Sequence, residues 1–134
     1  MTEPQKPKAQ ILLKLFGRTD VGRIREHNED NFLIADLTTK SRGMREEERE
    51  PTVQAGGNLF AVCDGMGGAA AGEVASQMAV DLIYERLAAA PLPKDRDELA
   101  RNMVAAIEDA GLKIYNAARS DSSRRGRGTT STVA

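Results

Sequence analysis

Short hydrophobic runs separated by polar or glycine-containing segments fill the first half of the chain, a pattern typical of β-strands. We predict strands at residues 11–16, 32–35 and 59–63. A β-branched run at residues 129–134 predicts a further strand, in which the chain ends. Residues 38–57 carry mixed charges and no apolar period, so we predict a mobile surface loop there.

From Gly72 the apolar spacing becomes helical. Two adjacent rows predict the buried face of one helix: Val74, Met78, Leu82 and Ala75, Ala79, Ile83, Leu87. Pro91 and Pro93 end this helix, and Asp95 followed by Glu98 resembles a capping box that begins a second one. The core face of the second helix is predicted to contain Leu99, Met103, Ile107, Ala110 and Ile114.

Composition is that of an ordinary globular protein, with 40% hydrophobic and 29% charged residues. The formal net charge of −1 gives no global attraction to nucleic acid or to an anionic membrane, and we predict neither as a partner. A chain of 134 residues favours one domain, predicted at residues 11–134 after a disordered tail at 1–10. No apolar run approaches the roughly 18 residues of a membrane span, and lone Cys63 excludes an internal disulfide framework. We therefore expect a cytoplasmic protein.

The most informative chemical feature is Asp64, which follows an apolar strand and precedes a glycine-rich turn. A buried strand can hold a carboxylate still while it points into a cleft. Gly65 has no side chain, so its carbonyl group can approach whatever Asp64 binds. The alternative is a simple turn in which Asp64 only accepts hydrogen bonds from backbone amides.

A second polar segment places Arg25 four and five residues before the acids Glu29 and Asp30. Taken alone, such a segment is typical of a solvated charged turn. The functional alternative is that both acids join Asp64 in holding a hard divalent cation, while Arg25 supplies a bidentate fork for phosphate. His27 is the only histidine and lies among polar residues, so we assign it no role.

Two other kinds of site fit less well. Residues 65–70 match the spacing of a dinucleotide fingerprint, but Asp64 would set a negative charge near the pyrophosphate. The ribose-binding acid of such a site could only be Asp81 or Glu85, and both fall within the helical pattern. The arginine-rich residues 124–128 lack interleaved aromatics and indicate a solvated loop rather than an RNA-binding segment.

Four blocks together resemble the N-terminal part of the metal-dependent serine/threonine protein phosphatases of type 2C. They are Asp20-Val21-Gly22 through Arg25 to Asn28-Glu29-Asp30; Val62-Cys63-Asp64-Gly65-Met66-Gly67-Gly68; Gly72-Glu73 with Ala75-Ser76; and Gly128-Thr129-Thr130. The resemblance covers residues 16–134, and the second block is similar to that of bacterial members. It implies an α+β fold, an incomplete version of the family's sandwich of antiparallel sheets flanked by α-helices.

By this resemblance, Asp64 would bridge two Mg²⁺ or Mn²⁺ ions and the Gly65 carbonyl would bind one of them. Glu29 and Asp30 would support the cluster directly or through waters, and Arg25 would hold the substrate phosphate. Water activated by the metal would attack phosphorus without a covalent enzyme intermediate. The implied function is dephosphorylation of phosphoserine and phosphothreonine in proteins, and the implied partners are phosphorylated targets of Ser/Thr kinases.

The chain also departs from the family pattern. Met66 stands where eukaryotic relatives have a histidine proposed as general acid, and Arg127 replaces the methionine that usually precedes Gly-Thr-Thr. By the resemblance, the family's remaining metal-binding aspartates lie beyond the last residue, so we predict that this chain carries one side of the dinuclear site. Activity of the chain alone and its absence are both compatible with the sequence. We hypothesise that exposed sheet edges favour a homodimer or strand exchange. The alternative function is a non-catalytic module that binds phosphorylated partners through Arg25.

Overall fold

The computed structural model describes residues 9–43, 53–66, 69–120 and 128–134. Most of the predicted N-terminal tail, the centre of the predicted loop, the glycine pair Gly67-Gly68 and the arginine-rich stretch lie outside the described residues. None of the helices in the described ranges has the length and apolar character needed to cross a membrane.

The described residues form a four-stranded antiparallel sheet with two helices packed against it. Its strands are β1 (Asp30–Asp36), β2 (Ser41–Arg42), β3 (Asn58–Met66) and β4 (Gly128–Val133), in the spatial order β2-β1-β3-β4. Helices α1 (Ala69–Ala89) and α2 (Arg96–Ser120) connect β3 to β4. This arrangement confirms the predicted α+β class with an antiparallel sheet and flanking helices.

Three of the predicted strands are confirmed as β1, β3 and β4, but the strand predicted at residues 11–16 is wrong. Within that segment Leu12 forms only an isolated bridge, and the Ile11 carbonyl accepts a hydrogen bond of 2.8 Å from the Val53 amide. Alternating hydrophobicity yields a strand only where a neighbour supplies ladder partners, and no described strand pairs with this segment. The polar strand β2 instead lies within the predicted loop and pairs with the end of β1.

The side-chain alternation of β1 and β3 decides which face of the sheet is buried. The register partners Leu33 and Ala61 lie on the face covered by the helices, whereas the next pair, Phe32 and Val62, lies on the opposite, open face. The core is rich in alanine, which lets helices and sheet approach closely without aromatic residues. It contains Leu33, Ala35, Leu59, Ala61, Cys63, Ala75, Ala79, Val80, Ile83, Leu87, Ala106, Ala110 and Ile114.

The first helix buries the predicted row that contains Ala75 and Ile83, but Val74 of the other predicted row is exposed. The buried face is centred closer to Ser76 and Val80, so Met78 is only partly buried. A serine interrupts the hydrophobic pattern, and for this reason the pattern does not indicate the true centre of the face.

The capping box of α2 forms at the predicted position. Asp95 Oδ1 accepts a hydrogen bond of 2.8 Å from the Glu98 amide, and Glu98 Oε2 accepts one of 2.9 Å from the Lys94 amide. Leu99, predicted as core, is exposed. The buried row of α2 is instead Ala106, Ala110, Ile114 and Ala118. Small residues let α2 pack closely against α1, and so alanines occupy positions where the pattern predicted larger side chains.

Candidate functional site

The pairing of β1 with β3 brings two acids together at one end of the sheet. Asp30 lies directly opposite Asp64 in the register. Both lie on the open face, because Cys63 and Gly65 on either side of Asp64 are buried. Partial burial and a hydrogen bond with Asp64, followed by the negative charge of Asp64, raise the pKa of Asp30 above its ordinary value. Two carboxyl groups in this arrangement are stabilised by a shared proton or by a cation.

Arg25 and Glu29 act on this acid pair from nearby. The positive charge of Arg25 lowers the pKa of Asp30, and the negative charge of Glu29 raises it, so both side chains lie within electrostatic range. The Glu29 carboxylate lies against the first turns of α1, where its Oε2 is 2.7 Å from the position that a Cβ atom would take on Gly72. The partial positive charge of a helix N-terminus favours a carboxylate there.

The predicted site residues therefore divide into two groups. Asp30 and Asp64 contact each other, while the Glu29 carboxylate lies beside Gly72. Within the described ranges, no three histidine, cysteine, aspartate or glutamate side chains form a group that could hold a metal ion. Oxygen ligands suit Mg²⁺ and Mn²⁺, and two adjacent carboxylates relieve their repulsion when a cation binds between them. The acid pair thus fits one side of a divalent cation site.

Backbone packing alone requires a glycine at position 65, whether or not its carbonyl binds a ligand. Its amide donates a hydrogen bond of 3.0 Å to the Glu29 carbonyl, which continues the strand pairing beyond Asp30. A Cβ atom on Gly65 would overlap the Gly72 carbonyl oxygen and would lie 2.7 Å from the Glu29 carbonyl oxygen. The strand end therefore packs directly on the backbone of α1, and this contact holds the segment after Asp64 in place.

Hydrogen bonds not anticipated from the sequence fix the backbone around the acid pair. The Thr129 hydroxyl donates to the Asp64 carbonyl at 2.9 Å, which ties β4 to the end of β3. Asn28 Oδ1 accepts from the Asp30 amide at 3.0 Å, and Asn28 Nδ2 donates to the Thr19 hydroxyl at 2.8 Å. Asn28 and Thr129 both belong to the blocks that carry the family resemblance. The sequence therefore marked these two residues, but it did not indicate that their side chains fix the backbone.

A buried contact also joins β1 to α1. Ser76 is fully buried, accepts a hydrogen bond of 2.8 Å from Asn31 Nδ2 and donates one of 3.2 Å to the Glu73 carbonyl. Since Asn31 follows Asp30 directly, this bridge sets the position of the acid pair relative to the helix. Ser76 belongs to the third block that carries the family resemblance, but the sequence pattern did not indicate its role in this contact.

Other predicted candidates contribute little to this arrangement. Met66 is exposed at the end of β3 and has no proton to donate, so it supplies no general acid. His27 is exposed, as expected of a surface residue. Asp81 and Glu85 both lie within α1 and not at the end of a strand, which argues against the dinucleotide interpretation. Arg127 lies outside the described residues.

Comparisons with known proteins show which family the chain is similar to. A family model described as protein phosphatase 2C matches residues 49–134. The chain is 34% identical over 113 residues to the serine/threonine phosphatase stp of Listeria innocua, covering 84% of this chain and 38% of that protein. It is 32% identical over 111 residues to the serine/threonine protein phosphatase PstP of Mycobacterium tuberculosis, covering 83% of this chain and 16% of that protein.

A solved structure is similar as well. The S. agalactiae serine/threonine phosphatase matches with a TM-score of 0.67 and 28% identity over 93% of this chain. The match covers 43% of that protein's chain. The sequence therefore spans less than half the length of each of these relatives.

Proposed function

The chain belongs to the protein phosphatase 2C family, and from that membership we propose that it contributes to metal-dependent dephosphorylation of phosphoserine and phosphothreonine in proteins. The observation that carries the proposal is the acid pair, Asp30 opposite Asp64, at the end of the sheet. The family is metal-dependent in general, and the two acids fit one side of a cation site. The relatives named above are serine/threonine phosphatases, and they support the same reaction.

The residues of this chain take distinct roles in the proposed reaction. Asp64 and Asp30 would hold Mg²⁺ or Mn²⁺ through their carboxylates, and the Gly65 carbonyl would be a further ligand. The metal would supply positive charge against the phosphate dianion and an activated water as nucleophile. Glu29 acts from beside Gly72, either through a water or by its charge.

Arg25 is proposed to bind the phosphate of the substrate. Its positive charge lowers the pKa of Asp30, so the guanidinium group lies within electrostatic range of the acid pair. A guanidinium group donates two parallel hydrogen bonds to phosphate oxygens, which orients the phosphate as well as attracting it. Arg25 therefore fits the role of substrate binding and orientation, while the acids hold the cation.

Phosphorylated proteins are the proposed partners. A homodimer stays a hypothesis, supported by the apolar open face around Phe32 and Val62 and by the outer edge of β4, which has no partner among the described residues. Light scattering over a range of concentrations tests it, since a monomer throughout would contradict it. The cytoplasmic location stays a prediction from the sequence.

Hydrolysis of a phosphothreonine peptide by the 134-residue chain in Mn²⁺ tests the proposed function. The comparison samples are a chelated sample, Asp64→Asn, and Asp97→Asn as a matched control at an exposed aspartate in the first turn of α2. We expect turnover that chelation and Asp64→Asn remove and that Asp97→Asn retains. Turnover that survives both chelation and Asp64→Asn would overturn the proposal. Peptide binding through Arg25 without any turnover would support the non-catalytic module instead.

A further inference from the structure

The outer face of α2 carries large apolar side chains that the fold leaves exposed. Leu112 and Tyr115 are each 58% exposed, and Val104 is 53% exposed. These residues lie on one side of the helix, because residues 112 and 115 follow residue 104 by about two and three whole turns. The buried row from Ala106 to Ala118 occupies the other side. Exposed apolar side chains that are grouped on one face, rather than scattered, are typical of a contact surface.

Opposite charges flank the central pair, Leu112 and Tyr115. Glu108 lies one turn before Leu112, and Arg119 lies one turn after Tyr115, so all four share one face of the helix. The Arg119 guanidinium carbon lies 5.7 Å from the centroid of the Tyr115 ring, a cation–π distance that holds the charge beside the apolar pair. Glu108 is exposed and has no hydrogen bond or ion pair with another described residue. This α2 stripe therefore runs from an acid through two apolar side chains to a base.

The order of these four residues is self-complementary. In an antiparallel pair of identical helices, residues at equal distances on either side of the twofold axis face each other. With the axis midway between residues 112 and 115, Leu112 faces Tyr115 of the partner subunit. Glu108 and Arg119 have the same midpoint, so Glu108 faces Arg119 of the partner subunit. A parallel pair would instead bring identical charges side by side.

We propose that the α2 stripe is the contact surface for a second copy of this chain, with the two α2 helices packed antiparallel about a twofold axis. The charge order selects this occupant, because the same four residues supply both sides of the interface. Glu108 and Arg119 lie about 16 Å apart along the helix axis, so one ion pair forms about 8 Å to either side of the apolar centre. The inference is independent of the proposed function, and its surface is distinct from the open face of the sheet.

The size of the stripe sets the strength of the contact. Two helix faces with two central apolar side chains each bury less than a standard protein interface, which makes the dimer weak and reversible. The ion pairs lie at the rim, where they contribute more to orientation and specificity than to affinity. We therefore expect a dissociation constant on the order of 0.1 mM.

Sedimentation equilibrium of the 134-residue chain, over protein concentrations of about 0.01–1 mM, measures the association. We expect dimers in the upper part of this range. Leu112→Gln should weaken the dimer at least about tenfold, because the twofold axis removes two central contacts at once. A parent chain that stays monomeric throughout overturns the proposal, and so does a dimer that Leu112→Gln leaves unchanged.

Charge reversal tests the antiparallel register. Arg119→Glu places two acids opposite each other in both ion pairs and should weaken the dimer about tenfold. Adding Glu108→Arg to the same chain restores opposite charges and should bring the affinity back to within about threefold of the parent value, the cation–π contact being lost. Arg96→Glu is the matched control, with the same change of charge at the exposed first residue of α2. The register is overturned if the double variant stays as weak as Arg119→Glu, or if Arg96→Glu weakens the dimer equally.

Val62→Gln separates this surface from the open face of the sheet. Val62 is 57% exposed there, so the substitution replaces an exposed apolar side chain by glutamine, as Leu112→Gln does on α2. We expect Val62→Gln to dimerise with the parent affinity. A dimer that Val62→Gln abolishes and Leu112→Gln retains belongs to the open face and overturns the proposal. Phosphatase activity enters none of these measurements, so loss of the proposed function and loss of the α2 contact are told apart.

Discussion

Replacing Gly65 by alanine tests how tightly the site is built into the fold. The added Cβ would overlap the Gly72 carbonyl oxygen, and it would lie 2.5 Å from the Gly72 carbonyl carbon and 2.7 Å from the Glu29 carbonyl oxygen. All three obstacles are backbone atoms, so no side-chain rotation relieves the clash. Either β3 or the start of α1 must move, and Asp64 moves with it.

The expected cost follows from this geometry. Overpacking a well-packed interior costs about 1–3 kcal/mol, and a clash with three backbone atoms belongs at or above the upper end of that range. For a chain of this length, about 3 kcal/mol corresponds to a fall in Tm of roughly 10 °C. Gly111→Ala is the matched control, because a Cβ there meets nothing within 4 Å. In α2, alanine in place of glycine should stabilise by about 0.5–1 kcal/mol.

Urea unfolding followed by far-UV circular dichroism measures both variants against the parent chain. We expect the midpoint to fall for Gly65→Ala and to rise for Gly111→Ala. If Gly65→Ala unfolds at the parent midpoint, the close packing of β3 on α1 is wrong. A change of the same sign in both variants would equally refute the reasoning.

Three further predictions concern the same region. Ser76→Ala should destabilise the chain by about 1–2 kcal/mol in urea unfolding. Asn31→Ala should add little to this loss in the Ser76→Ala chain, because the hydrogen bond between the two side chains is already absent there; additive losses would contradict this. Without metal, the raised pKa of Asp30 contributes stability that is fully present below the ordinary pKa of aspartate, about 4, and is lost as pH rises through the raised value. Asp30→Asn should therefore raise the stability of the chelated chain at neutral pH, by less than about 1 kcal/mol because the carboxyl groups are largely exposed. The same substitution should make the Tm of the chelated chain depend less on pH on the acid side of its profile. Arg25→Ala should weaken binding of a phosphorylated peptide about tenfold and leave its unphosphorylated form unaffected, and equal losses for both forms would argue against phosphate recognition.

The hydrophobic pattern predicted most of the fold because its strand-like runs and its helical rows were both strong. The apolar runs of β1 and β3 and the helical rows of α1 each identify a face that must be buried. The segment at residues 11–16 carried the same kind of pattern but forms no strand, since pairing depends on a neighbouring strand that a local pattern does not reveal. The two polar residues of β2 had no apolar signal, and their pairing follows from the course of the chain after β1.

The candidate site was predictable in its residue types and less so in its geometry. Asp64 at the end of an apolar strand indicated a held carboxylate, and Asp30 lies opposite it. The register that pairs them was invisible in the sequence. The Glu29 carboxylate, one residue earlier, lies against Gly72. This position is available because neither Gly65 nor Gly72 has a side chain, so β3 approaches α1 closely there. The bridge from Asn31 to Ser76 joins residues far apart in the chain, and no local pattern connects them.

Mn²⁺ binding tests most directly whether Asp30 and Asp64 form one side of a cation site. Electron paramagnetic resonance of free Mn²⁺ gives the affinity of the 134-residue chain and of Asp30→Asn, Asp64→Asn and the control Asp97→Asn. We expect either site substitution to weaken Mn²⁺ binding at least about tenfold, the usual scale for loss of a ligand or of its supporting partner. The control substitution should leave the affinity unchanged. Equal affinity of Asp64→Asn and the parent chain would contradict a cation site at these two acids.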